Sequence, residues 1–330
     1  MAATPKIVEL VHKCKKSSAS VSLIGATVTS WRIFDSDILY LSKKAVLDGS
    51  QAIRGGIPIV FPRFVDRPLH GGSSVPRHGF ARTSEWTCKE TEYDSASGDC
   101  IGTFILTSND ETRAVWPHDF ELQYFVRVGV SNLSTQLVVK NTGSSAIDFH
   151  ALFHTYFSVD DISNASVSGL GGEVFIDKGT ALGKQTMPVI RFPNEVDRVY
   201  EQVLPTQEEL RSQKRPDRLL AVGDSGNCDI VVRCVNFRDV VVWNPGEEKG
   251  AKLSDLGTDG FRKFICVEPG TVSEPVHLAA GAQWSAGQNM TLRVLAETGR
   301  AIADVAAQEQ KAKLDAARAS ESVPSDSSKI

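Results

Sequence analysis

Two histidines stand four residues apart in Ile147-Asp-Phe-His-Ala-Leu-Phe-His-Thr-Tyr-Phe157, and a glutamate, Glu268, stands in Ile265-Cys-Val-Glu-Pro-Gly270. Imidazole and carboxylate are well suited to exchange protons with a substrate near neutral pH. Read as a strand, the first segment puts Phe149, Ala151, Phe153, Thr155 and Phe157 on one face and His150, Leu152, His154 and Tyr156 on the other. The apolar face anchors the strand in a core, and the opposite face offers two imidazoles and a phenol to a cleft. A helix would also bring His150 and His154 together, at i and i+4, so metal binding is weighed beside ordinary hydrogen-bonded histidines. No glutamate follows His150 in a His-Glu-x-x-His pattern and no cysteine pair lies nearby, so the metal pattern is incomplete. Glu268 reads as the end of an apolar strand, immediately before a Pro-Gly turn. The rim of a sheet is a useful place for a general base, and a carboxylate bound to backbone or to an arginine is the plainer alternative.

Arg54, Arg63, Arg67, Arg77 and Arg82 crowd into two short segments and the loop between them, with repeated Gly and Pro and with His78. The whole chain carries a net charge of −4. A local arginine cluster in an acidic chain suits a small anion, and Gly and Pro there fix backbone geometry that solvated surface charges would not need. Asp197, in Asn194-Glu-Val-Asp-Arg-Val-Tyr200, sits in a short polar interruption where it could accept hydrogen bonds from hydroxyls or simply make a turn. Trp243, on a strand running into a turn at Pro245-Gly246, suits either stacking on a sugar face or core packing.

The elements that must position these groups are short β-like runs. Examples are 20–24, 102–107, 122–130, 135–141, 229–235, 239–243 and 290–295, with a hairpin connection at 131–134. Turn residues recur every 8–12 residues or so, with few helical patterns between, which predicts an all-β fold: a large antiparallel β-sandwich or barrel. The charged stretch 206–215 reads as a surface loop or short helical turn. From Gly299 the composition turns to Ala, Glu, Gln, Lys and Arg, a C-terminal helix, and then to a polar, disorder-like tail over 321–330. The domain reading is therefore 1–298 for the β-domain and 299–330 for the appendage.

Of 330 residues 41% are hydrophobic, enough for a large core, yet no apolar run is long enough to span a membrane as a helix. The acidic balance and lack of a basic stripe argue against nucleic-acid and anionic-membrane partners. Six scattered cysteines without a Cys-x-x-Cys pair suggest reduced thiols and an intracellular compartment, and Cys266 reads as a small buried hydrophobe. The final Ser328-Lys-Ile330 approximates a peroxisomal address, so the expected location is the cytoplasm, or a peroxisome-like organelle such as a glycosome if the tripeptide acts as a signal.

Six fragments, taken in order, resemble the hexose-6-phosphate mutarotases, or glucose-6-phosphate 1-epimerases, of the aldose 1-epimerase group. They are Arg54-Gly-Gly-Ile-Pro58, Arg77-His-Gly-Phe-Ala-Arg82, Phe153-His-Thr-Tyr-Phe157, Glu195-Val-Asp-Arg-Val-Tyr200, Val242-Trp-Asn-Pro245 and Val267-Glu-Pro-Gly270. The resemblance implies a galactose mutarotase-like β-sandwich, with His154 as catalytic acid, Glu268 as catalytic base, and Arg54, Arg82 and Asp197 contacting the substrate. Arg77 and His78 join that substrate-binding group, although Arg77 stands where glutamine is common. Arg63 is a second departure, at a position where glutamine or a small residue is expected. The implied reaction interconverts α and β anomers of D-glucose 6-phosphate and related hexose 6-phosphates by ring opening and closure. It needs no metal, nucleotide or redox cofactor, and the expected enzyme is a monomer with a small-molecule substrate. The competing readings are an aldose 1-epimerase for unphosphorylated sugars and a non-catalytic carbohydrate-binding β-sandwich.

Overall fold

Phe120–Val128 reads Phe-Glu-Leu-Gln-Tyr-Phe-Val-Arg-Val, and every second residue from Phe120 is buried while those between are not. That period of two is the mark of a strand laid on a core by one face. Its hairpin partner, Asn132–Asn141, buries Leu133, Thr135, Leu137, Val139 and Asn141 by the same alternation. In a computed structural model the described residues are 6–69, 74–224 and 228–294. The expected C-terminal helix and tail, and the boundary drawn at 298/299, lie outside them. Among the described residues no helix is long and apolar enough to cross a membrane.

The strands form two large antiparallel sheets and a small one among the described residues. The first runs Val189–Ile190, Ser166–Ser168, Leu219–Gly223, Cys228–Val235, Gln283–Val294, Asn132–Asn141, Phe120–Val128, Cys100–Thr107 and Thr87–Tyr93. The second runs Ala181–Lys184, Val174–Asp177, Val196–Tyr200, Asp239–Asn244, Phe264–Leu278, Ile147–Phe153 and Ile59–Val60, with Tyr156–Ser158 also paired to Phe264–Leu278. The N-terminal strands between Ile7 and Asp37 make the third. The two large sheets meet through aromatic rings: Phe153 packs on Tyr124 with centroids 5.5 Å apart, and Phe149 on Trp284 at 5.4 Å. Each such ring taken out of water contributes about 1.5–3 kcal/mol. The expected all-β sandwich is the architecture observed.

Three local expectations are corrected. The Pro-Gly after Glu268 does not end a strand: Phe264–Leu278 continues for 15 residues, with Glu268 in its interior. The neighbouring segment is what breaks, between Ile147–Phe153 and Tyr156–Ser158. The Val267 N–H donates to the Thr155 carbonyl across this edge, so two residues on, the same edge is where Pro269 lacks an N–H. The register places Pro269 opposite Phe153, whose carbonyl accepts the Thr155 N–H instead, so that acceptor is not left without a partner. Second, Asp197 is not in an interruption but within the strand Val196–Tyr200, directly opposite Trp243. Third, the two histidines part company. His150 is buried beside the backbone N–H of Phe64 (3.5 Å to its Nδ1) and does not line the cleft, whereas His154 does. A bulge between Phe149 and Ala151 and the strand break at His154 separate the two side chains that plain alternation would align. The charged stretch from Thr206 contains the short helix Gln207–Arg211, started by a capping box between Thr206 and Glu209.

Glycine places the arginine segments. Gly56 has φ +66°, and a Cβ there would lie 2.1 Å from the Val28 carbonyl oxygen; at Gly79, φ +73°, it would lie 1.9 Å from that of Phe61. Any side chain would therefore push the segments carrying Arg54 and Arg82 off the strands beneath them. His78 also adopts the left-handed region, at φ 65°, which turns the chain just before Gly79.

Candidate active site

A cavity of about 360 Å³ opens over the second sheet, and His154, Glu268, Arg54, Arg77, His78, Arg82 and Asp197 all line it, with Tyr156 and Trp243. These seven, spanning residues 54 to 268, thus reach one pocket, whereas His150, Arg63 and Arg67 do not.

Glu268 forms the floor. The strand interior holds it opposite Val241, and it is 1% exposed. His154 comes from the strand break, where its N–H donates to the Pro58 carbonyl at 3.0 Å and its ring stacks on Tyr156 at 4.8 Å and 10°. Trp243 meets the same imidazole edge-on at 5.7 Å, so its ring both packs and lines the cavity. His154 Nδ1 and Glu268 Oε1 approach to 3.4 Å, and neither atom has a hydrogen-bond partner among the described residues. A buried polar pair left so is expensive in a core and useful in a site that awaits a polar ligand. Burial raises the Glu268 carboxyl well above its ordinary range, with Asp197 adding to it. Burial also lowers the His154 imidazole, with His78, Arg54 and Arg82 adding to it. Both shifts favour the uncharged form of the group concerned.

The arginines differ in what already neutralises them. Arg54 donates from Nε to both oxygens of Asp255 (3.2 and 3.1 Å) and from Nη1 to the Tyr156 hydroxyl at 3.1 Å. Burial opposes its charge, but Tyr156 and Asp255 outweigh burial and hold it firmly protonated. Arg77 pairs with Asp66 at 3.2 Å on the exposed rim. Arg82 donates from Nη2 to the Arg77 carbonyl at 2.8 Å, while its buried Nε has no partner among the described residues. Burial, with the charges of Arg54 and Arg77, brings its guanidinium down to about 10. His78 packs edge-on to His154 at 6.1 Å, and burial, with Arg82, Arg77 and Arg54, drives it down to about 3, so its imidazole is neutral at physiological pH. Burial also raises Asp197 from the usual carboxylate value.

Arg63 and Arg67 do not line the cavity. Arg63 donates to the carbonyls of Asp66, Arg67 and Val75, and Arg67 pairs with Glu201 at 2.7 Å. Asp255 escapes sequence reasoning: it lies 201 residues from Arg54, and only the tertiary fold couples them.

This arrangement suits a small polar anion with hydroxyls held over an acid–base pair. The sequence pattern of the family described as aldose 1-epimerase matches residues 6–291. The chain belongs to the aldose 1-epimerase family. Its activity is accordingly the interconversion of sugar anomers, and the chain is an enzyme. A protein from Escherichia coli K12 provisionally named glucose-6-phosphate 1-epimerase is 34% identical over 272 residues, covering 79% of this chain and 85% of its own. One of the same provisional name from Cenchrus ciliaris is 32% identical over 292 residues, covering 85% and 84%. The crystal structure of a provisionally assigned mutarotase from Salmonella typhimurium superposes with a TM-score of 0.74 at 30% identity, over 88% of this chain and 91% of that one.

Proposed function

We propose that this aldose 1-epimerase family member interconverts the α and β anomers of D-glucose 6-phosphate and related hexose 6-phosphates, with His154 and Glu268 as its proton-transfer pair. The single observation that carries the phosphate reading is Arg82, a partly buried cation in the pocket with no ion pair to a described residue. A phosphoryl group supplies the missing counter-charge, and guanidinium meets it through planar, charge-assisted hydrogen bonds. Arg77, at the rim, adds to the same field. Arg54, already bound to Asp255, orients more than it neutralises. The names of the relatives point to the same substrate.

Anomer exchange requires a proton to leave the C1 hydroxyl and one to reach the ring oxygen. Glu268 as carboxylate takes the first and His154 as imidazolium gives the second. The resting pair holds the same number of protons in neutral form. Moving one proton across the 3.4 Å gap creates the working form without exchange with solvent, and the sugar's hydroxyl and ring oxygen supply the hydrogen bonds that the ionised groups need. The aldehyde then turns about C1–C2, closes on its other face, and the two groups reverse roles. Asp197, together with the edge of Trp243, holds the remaining sugar surface. The rate is bell-shaped in pH: it falls on the alkaline side when the pair loses its one proton and on the acid side when it gains a second.

NMR exchange spectroscopy of glucose 6-phosphate and of glucose, each with and without enzyme, tests this. The expected outcome is accelerated exchange for both, with a much lower KM for the phosphate ester. Equal KM values would reassign the pocket to unphosphorylated sugars, and binding without acceleration would make the chain a carbohydrate-binding sandwich.

A further inference from the structure

Beneath the acid–base pair lies a third group that the reaction does not use. Cys266 is two residues before Glu268 on the same strand and therefore on the same face. Its thiol is fully buried among Tyr156, Leu256 and Phe264 and does not line the cavity. One donor atom from each of His154, Cys266 and Glu268 lies within 4.8 Å of the other two. A tetrahedral zinc ion bound at ordinary lengths separates its nitrogen, oxygen and sulfur ligands by about 3.3–3.7 Å. The His154–Glu268 edge, at 3.4 Å, already has that length. The sulfur needs to approach by about 1 Å at most, a shift within a side-chain rotation. Both His154 Nδ1 and Glu268 Oε1 are buried without a partner among the described residues, and the Glu268 side chain is 98% buried, being 2% exposed.

We propose that His154, Cys266 and Glu268 form an inhibitory site for a borderline or soft divalent cation, zinc or cadmium, with the cavity side left open as the fourth position. A mixed nitrogen, sulfur and oxygen donor set selects such ions over magnesium and calcium, which prefer all-oxygen shells. Carboxylate and thiolate together cancel the cation, and Asp255 already offsets Arg54, whereas the Arg82 guanidinium stays uncompensated and opposes the ion. Binding releases the proton that the acid–base pair shares and the proton of the thiol, so the metal and the proton-transfer reaction exclude each other.

Two measurements on the full chain test the site. In the first, anomer exchange is followed at chelator-buffered free Zn²⁺, Cd²⁺ or Mg²⁺, in the wild type and in Cys266→Ser, each normalised to its own metal-free rate. Micromolar zinc or cadmium is expected to suppress exchange while magnesium does not, and the serine variant is expected to need about tenfold more metal or beyond. Equal sensitivity of the two proteins, or equal potency of magnesium, would overturn the proposal. In the second, X-ray absorption is measured on wild-type protein loaded with one equivalent of zinc. One sulfur among nitrogen and oxygen ligands is expected; a sulfur-free or multi-sulfur shell would overturn the site. The inhibition arm rests on the proposed function, whereas the absorption arm reads the ligands directly, so failure of one idea is distinguishable from failure of the other.

Discussion

Two depressions share the segment around Val196: Asp197 lines one and Glu195 the other. The second is a groove of about 890 Å³, well over twice the volume of the first. Several of its charges are spent on one another. Glu195 is bridged by Lys178 and by Lys249, and Arg262 binds Asp161 at 2.8 Å. Both lysines are about half exposed, and pairs of that kind contribute little. The smaller pocket inverts this: it buries a carboxyl, two imidazoles and a guanidinium nitrogen without partners among the described residues. Volume does not mark the candidate site here; unpaired buried polarity does.

The contrast is broken or sharpened most strongly at the floor of the pocket. Glu268→Gln and His154→Asn are each expected to lower the enzymatic exchange rate about a thousandfold, the middle of the range for general acid–base groups. Stability should not fall with it. The raised Glu268 carboxyl favours the folded state below its ordinary value and loses that contribution as pH rises toward its folded value, so Glu268→Gln should be the more stable protein at alkaline pH. Exchange spectroscopy beside urea unfolding reads both. A collapse of stability would make the pair a structural contact after all.

The arginines come next. Arg82→Gln should raise KM for glucose 6-phosphate by about 10–100-fold, the size of a charge-assisted contact, and leave glucose and stability unchanged. Arg54→Gln should also lose about 3 kcal/mol of stability, because it strands Asp255 in a buried position. If the two variants behave alike, the distinction between a free and a neutralised guanidinium fails.

A buried histidine outside both depressions has a protonation effect of its own. Burial, with Arg67 nearby, lowers His150 to about 4, below its ordinary 6.5. The unfolded chain thus binds its proton first, and the stability His150 contributes is complete above pH 6.5 and is lost as pH falls toward 4. His150→Gln should flatten that acid limb by up to about 3 kcal/mol in urea midpoints taken across the window. The smallest effect belongs to the groove: Lys249→Ala should change stability by less than about 1 kcal/mol and leave exchange kinetics intact. A large kinetic effect would show that the groove serves the reaction.

Much of this was legible in the chain. The β-like run read over 122–130 is the strand Phe120–Val128 to within two residues, and six short fragments in order singled out Arg54, Arg77, His78, Arg82, His154, Asp197 and Glu268, which the fold brings to one pocket. What sequence reading missed were partnerships between distant residues and exceptions to local rules. Asp255 carries no spacing signal toward Arg54. Pro269-Gly270 reads as a turn because proline cannot donate to a ladder; in the sheet the carbonyl it would have faced, that of Phe153, takes the Thr155 N–H. His150 and His154 look equivalent until a bulge turns them apart. The cysteine beside Glu268 looks like ordinary core until three donor atoms are measured together.

The strand Phe264–Leu278 is paired on one side with Asp239–Asn244 and on the other with Ile147–Phe153 and then Tyr156–Ser158. Glu268 therefore rides on a segment laced on both edges, the kind of backbone whose amide protons exchange only when the whole domain opens. Enzymes often keep their reactive groups on loops that melt early, which lets activity fade before the fold does. Here the proposed base is carried by the sheet itself, so its placement is lost only in the cooperative event that dismantles the sandwich.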